Sequence, residues 1–323
     1  MTDLLVIAGR EIRERRRDPL LLVLIAFLAL ASIVSVVVAA AAFRTELDAY
    51  TAYVSQLLAS GSSTPPAAPR LFPMQLLRGA VEYVEVLGAL FAIVVGYGSV
   101  AAERRRGTLD LVLSRPIGRF SLGLGKLLGL SAVWGIVVIS LAVVETIALA
   151  TVGGASIGLY ELRGIALATV VLWLYLVFWS AVAIGITALA RRPSTGLIVA
   201  VAVWLVVVLI LPQIGDTMDP DNQVPGGLFA ALQIQRTDEL SVMAHFAGFD
   251  GVRNAIEVSS IEKHTERLAF AFLGIKDQYN QQPLSAVWAD MWPYALTLVA
   301  ATALVTVGAA LTTTRRTLQR RDS

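Results

Sequence analysis

The chain has 323 residues, of which 56% are hydrophobic and 15% charged, with a mean hydropathy of +0.71 and a formal net charge of only +2. An average soluble domain is about 25% charged, so this composition suits a bundle facing lipid better than a globular core with a polar shell. Cysteine is absent, which excludes a disulfide framework, a thiolate metal site and a cysteine nucleophile.

Residues 1–19 predict a helix lying on the membrane surface. Leu4, Leu5, Ala8 and Ile12 form an apolar stripe, and Arg10, Arg13, Arg15, Arg16 and Arg17 occupy the other side. Such a helix buries its stripe at headgroup level and attracts anionic lipid. The apolar run that follows exceeds the core of a secretory signal and lacks a clear small-residue cleavage site, so it reads as a retained membrane helix. A spanning helix needs about 20 mainly apolar residues. Six stretches meet that test: 20–43, 84–102, 122–152, 162–190, 196–211 and 292–311.

The segments between them alternate in charge. Arginines precede the first span. Arg104, Arg105, Arg106, Arg115, Arg119 and Lys126 lie between the second and third, Arg191 and Arg192 between the fourth and fifth, and Arg315, Arg316, Arg320 and Arg321 after the sixth. Six spans put all of these on one side, so both termini are predicted to be cytoplasmic. The first outer loop, 44–83, starts with Leu47, Tyr50, Tyr53, Val54, Leu57 and Leu58 at helical spacing, then breaks at a Ser- and Pro-rich stretch over 61–69. Glu82 and Glu85, near the outer start of the second span, are expected to face water. The third outer loop, 212–290, is the largest polar region and is expected to hold two or more helices. Ser259 and Glu262 there have capping-box spacing.

A few residues could carry chemistry. Glu145 is the one carboxylate well inside a predicted span, and such residues usually face a cavity or a partner; it is the candidate for a substrate path. His245 and His264 both fall in the third outer loop at a spacing that matches no metal motif, so they read as solvated or core residues. Gly125 and Gly129, and Gly96-Tyr97-Gly98, read as sites of close helix packing. Trp173, Trp179, Trp204, Trp288 and Trp292 read as packing and interfacial anchors, and Trp134 as packing. Neither a Ser-His-Asp arrangement nor HExxH is recognisable.

The most informative segment is the second cytoplasmic loop, 103–121: Glu103-Arg104-Arg105-Arg106-Gly107-Thr108-Leu109-Asp110-Leu111-Val112-Leu113-Ser114-Arg115-Pro116, continuing through Arg119 to Gly125 and Lys126. Gly107 can end the second span, Thr108 can cap a new turn, and Leu109, Leu111, Val112 and Leu113 supply an apolar face. Pro116 stops that short helix. This stretch resembles the loop of ABC type-2 permeases, with Glu103, Gly107, Thr108, Leu109, Val112, Leu113, Ser114, Pro116, Arg119, Gly125 and Lys126 at matching positions. Arg105 stands where the pattern has a second Glu, and Gly118 where it has Ser or Thr.

The resemblance implies an all-α membrane protein forming one permease domain over 1–323: six transmembrane helices, an N-terminal amphipathic surface helix, a cytoplasmic coupling helix and a helical extracytoplasmic loop. It implies that the coupling helix docks on an ABC ATPase subunit dimer, and that a second permease copy, normally an identical one, completes an exporter in the cytoplasmic membrane. The large loop before the last span is similar to that of permeases of nitrous-oxide-reductase maturation systems. No cofactor is expected in this chain, since the P-loop pattern is missing: Phe120 stands where its first Gly belongs, and Leu127 follows Lys126. ATP and Mg are expected on the partner subunit, and nucleic acid is not an expected partner. Two other readings are a membrane anchor recruiting an extracytoplasmic protein through 212–290, and a secondary transporter. The latter would show inverted repeats and broken helices.

Overall fold

The computed structural model describes residues 2–60, 73–106, 118, 120–152, 157–218, 244, 247–314 and 317. Among them every regular element is helical, and six helices are long and apolar enough to cross a membrane. Helix α1 (Thr2–Arg16) lies ahead of the spans. Helix α2 (Pro19–Ala59) is the first span. The second, Pro73–Ala102, is built from a 3₁₀ turn, α3 (Arg78–Tyr83), a π-helical turn (Val84–Gly88) and the start of α4 (Ala89–Arg106). The third and fourth are α5 (Ser121–Thr151) and α6 (Leu159–Leu189). The fifth, Pro193–Gly215, contains α7 (Pro193–Trp204), a second π turn (Leu205–Ile210) and most of α8 (Leu211–Thr217). Helices α9 (Ala247–Val258) and α10 (Ile261–Leu273) precede the sixth span, α11 (Leu284–Thr312).

Helix α6 is the axis. It packs against α4, α5, α7, α10 and α11, and Tyr175, Leu176, Trp179 and Ile184 along it are fully enclosed. Two-thirds of the second span's apolar window is buried, against about a fifth for the first, fifth and sixth. Spans two, three and four therefore form the interior, and the other three wrap it. In lipid no hydrophobic force drives helix against helix, so close packing and interhelical hydrogen bonds must do so. Both meet at one level. Trp134 of α5 donates to the Ser180 hydroxyl of α6 (2.7 Å), and Ser180 donates to the Ala92 carbonyl of α4 (3.3 Å). One turn on, a Cβ at Gly96 would lie 2.7 Å from the Ser180 carbonyl, so only glycine fits. Trp173 adds a bond to the Ser131 carbonyl (2.8 Å).

Several elements differ from the sequence expectation. The helical spacing over Leu47–Leu58 belongs to the first span itself. Helix α2 has 41 residues, about 60 Å of helix against a hydrocarbon core of about 30 Å, so its second half projects past the bilayer. Arg44 fastens it there by donating to the Val152 carbonyl at the end of α5 (2.6 Å). Ser260, not Ser259, caps α10: its hydroxyl accepts from Glu262 N (3.2 Å) and donates to the Val207 carbonyl in the π turn of span five (2.7 Å). Ser259 instead bonds back to Ile256, closing α9. Gly274, with φ of 64°, ends α10 in the left-handed cap that favours glycine. The sixth span starts eight residues before the apolar run that marks it, and carries Pro293 within the helix. Trp288 and Trp292 are half exposed near its start, as interfacial anchors are.

Candidate functional site at the N-terminal end of the bundle

Helix α1 lies along the first half of α5, and two glycines make that possible. A Cβ on Gly125 would stand 2.7 Å from the Ile7 side chain, and one on Gly129 would stand 2.7 Å from the Glu11 Cβ and 2.9 Å from the Ala8 carbonyl. The small-xxx-small pair is thus a groove for α1. The buried stripe of α1 runs through Ala8, Glu11 and Arg15, while Leu5 is 68% exposed. The apolar stripe expected from Leu4, Leu5, Ala8 and Ile12 is therefore split. Part of it grips α5, and Leu5 and Val6 point out of the bundle.

The grip contains charge. Lys126, 2% exposed, donates to the Ser99 carbonyl (2.9 Å) and pairs with Glu11 at 3.4 Å. The other Glu11 oxygen accepts from Arg15 Nε at 3.0 Å, and Arg15 also reaches Asp18 at 3.0 Å. Burial pushes the Glu11 carboxyl up, but Lys126 and Arg15 outweigh burial and hold it below its ordinary value. Asp18 in turn caps α2 by accepting from Leu20 N. One network thus ties α1, α2, α4 and α5 together. Among the other basic residues predicted on α1, Arg10 pairs loosely with Glu14 (3.7 Å), and Arg13, Arg16 and Arg17 are exposed. Arg15 departs from the exposed cluster, because a face that meets Glu11 and Asp18 cannot also face water.

A second tie sits at the base of the 103–121 loop. Arg104 donates to the Ala190 and Ala188 carbonyls (2.8 and 2.9 Å), which the end of α6 leaves without helical partners, and to the Thr317 carbonyl beyond α11 (3.2 Å). So the ends of spans two, four and six meet one guanidinium. Glu103 and Arg105 occupy the last turn of α4. Gly107, Thr108, Leu109, Leu111, Val112, Leu113, Ser114, Pro116 and Arg119 lie outside the described residues.

Away from this end, Glu145 sits near the far end of α5, half-buried beside α2 and its Ser32, outside the tightly packed interior of spans two and four. Glu85 is 1% exposed and does not face water, because α10 and α6 close over it. Tyr175 donates to its carbonyl at 2.9 Å. Glu82 is half exposed and pairs with Arg78 (2.9 Å). His264 is a core histidine: Nε2 is 2.9 Å from the Val258 carbonyl, its ring lies 5.3 Å from Tyr294, and burial pushes it below its ordinary value. His245 lies outside the described residues. No group of three or more His, Asp or Glu among the described residues is placed to hold a metal ion. What sequence reasoning missed is the Glu11–Lys126 pair. Its only signal was an acid inside the apolar stripe of the arginine-rich helix, between Ala8 and Ile12, and a lysine directly after a packing glycine.

A family model described as ABC-2 family transporter protein matches residues 5–322 of the chain. No curated protein matches it.

Proposed function

The chain belongs to the ABC-2 family of transporter proteins, and from that premise we propose that this multi-pass permease is the membrane subunit of an exporter, coupling ATP binding and hydrolysis by separate ATPase subunits to substrate movement. In this reading two permease copies stand side by side over an ATPase dimer, with the N-terminal helix and both termini on the cytoplasmic side of the cytoplasmic membrane. ATP and Mg belong to the partner. Nucleotide shifts the population between two arrangements of the bundles, so substrate and ATP are linked reciprocally. Lipids surround the N-terminal helix, and the outer helix α9, largely exposed, is available to an extracytoplasmic protein.

The observation that carries the reading is the pair of ties flanking the 103–121 loop. Arg104 at its start binds the ends of α6 and α11, and Lys126 just after it binds α1. A push delivered to the chain between those points reaches spans two, three, four and six together. Helix α10 supports the same reading over that of an outer anchor, since it spends its side chains from Leu268 to Leu273 on the bundle.

The test is co-expression and co-purification with candidate ABC ATPase subunits from the same organism, for the wild type and for the variant L109D/L113D. The expected outcome is a stable wild-type complex and loss of the ATPase from a variant that remains in the membrane. An ATPase retained equally by both removes the coupling-helix assignment.

A further inference from the structure

A cavity of about 780 Å³ opens between α1, the start of α2 and the second span. Neither the transport reading nor the bundle's packing accounts for it. One wall is basic: Arg10, Arg13, Arg15 and Arg17 line it, against two carboxylates, Glu14 and Asp18. Arg10 and Arg13 are one turn apart on α1, and Arg17 follows directly after its end. Arg15 is pinned by Glu11 and Asp18, and faces Gly98, where even an added Cβ would remain 3.5 Å from its guanidinium. The opposite wall is apolar, with Val94, Val95 and Leu20. Leu20 opens the first span half exposed, and while Leu21 turns into the core, Leu22 and Val23 are more than half exposed. The cavity therefore lies where the arginine helix meets the hydrocarbon, with positive charge on one side and a path to lipid on the other.

Four guanidinia against two carboxylates make the lining net positive, and a basic concave wall of this kind attracts anions. Guanidinium prefers bidentate, planar oxyanions, phosphate above all. The volume falls within the range of sites for small ligands, and the apolar wall suits the first methylenes of an acyl chain. We propose that this cavity binds the phosphate of an anionic phospholipid, with Arg13 and Arg17 as its main ligands, Arg10 and Arg15 completing the basic wall, and the chains leaving along Leu20 and Val94. Because α1 is locked to α5 through Gly125 and Gly129, a headgroup held here bridges α1 to spans one and two. The site does not depend on the exporter reading, and it gives the transporter a way to sense the composition of the leaflet around it.

The experiment is native mass spectrometry of the full chain in detergent, titrated with phosphatidylglycerol and, separately, with phosphatidylcholine of the same chains. The wild type is expected to retain phosphatidylglycerol preferentially. R13Q/R17Q, which changes two exposed side chains and leaves the Glu11–Lys126 pair intact, is expected to bind it about tenfold more weakly or worse, the scale of a lost charge-assisted hydrogen bond. G98L keeps every charge and fills the cavity, and is expected to lose the preference as well. Equal binding of the two lipids by the wild type, or unchanged phosphatidylglycerol binding in R13Q/R17Q, overturns the proposal. Unchanged binding in G98L places the lipid on the open surface of α1 and overturns the cavity. A last arm adds inorganic phosphate at millimolar concentration: the lipid is expected to stay bound, and its displacement reassigns the site to free phosphate.

Discussion

Lys126 shows how a single side chain can change meaning between sequence and structure. By charge it belongs with the basic residues that orient the chain. By position it is a nearly inaccessible cation facing Glu11 and the Ser99 carbonyl. Removing one partner of a buried pair costs far more than the pair contributes, because the remaining charge is stranded; about 3–5 kcal/mol is typical. Lys126→Met is therefore expected to release α1, since Glu11 must then be either rehydrated or protonated. The cysteine-free chain allows a clean readout, a single spin label at Leu5→Cys, where the native side chain is exposed. The expected result is greater label mobility in Lys126→Met; unchanged mobility shows that Arg15 alone holds Glu11. The pH dependence has a definite sign. Glu11 is held below its ordinary value, so its contribution is fully present above the unfolded carboxyl range of about 4.5 and is lost as pH falls through the folded value. The same label is expected to report a docked α1 at neutral and mildly acidic pH and an undocked one only in stronger acid.

Elements in this protein are positioned by what their neighbours leave out. Helix α1 lies on α5 because two glycines one turn apart open a groove, and the Ala8 backbone and Glu11 side chain fill it. A leucine at Gly129 would need its Cβ where the Glu11 Cβ already approaches within 2.7 Å. Gly129→Leu is accordingly expected to displace α1 while leaving the six spans in place, with full membrane insertion but a mobile Leu5 label. Overpacking of this kind typically costs about 1–3 kcal/mol, enough to shift a surface helix. If the label stays immobile, α1 is held by its charges and not by the groove. The two π turns follow the same logic. They fall at Val84–Gly88 and Leu205–Ile210, and both contact α10. An extra residue in a helical turn re-aims side chains and frees carbonyls; here Val207 offers its carbonyl to the cap of α10.

For the whole molecule, burial is uneven in a way that suits assembly. Spans one, five and six expose most of their apolar windows, while spans two and four are largely enclosed. Faces of that kind meet lipid or a second copy. The complex with the ATPase is expected to contain two copies of this 34.5 kDa chain, measured by light scattering of the purified assembly; one copy per complex removes the paired-bundle mechanism. The sequence by itself determined the class of the protein. Hydropathy marked all six spans, because lipid demands about 20 apolar residues per crossing. The Gly107–Pro116 pattern pointed to the ABC-2 family that the match over residues 5–322 establishes. It could not determine which spans lie inside, since lipid-facing and helix-facing positions carry the same apolar residues: spans one and five, the most hydropathic, are buried no more than span six, one of the less hydropathic. Only the tertiary structure decided that Lys126 and Arg15 are internal, that Glu85 is roofed by α10, and that Ser260 rather than Ser259 begins that helix. Lys126 meets Glu11 115 residues away and Ser260 meets Val207 53 residues away along the chain, and local pattern carries no information about such a meeting.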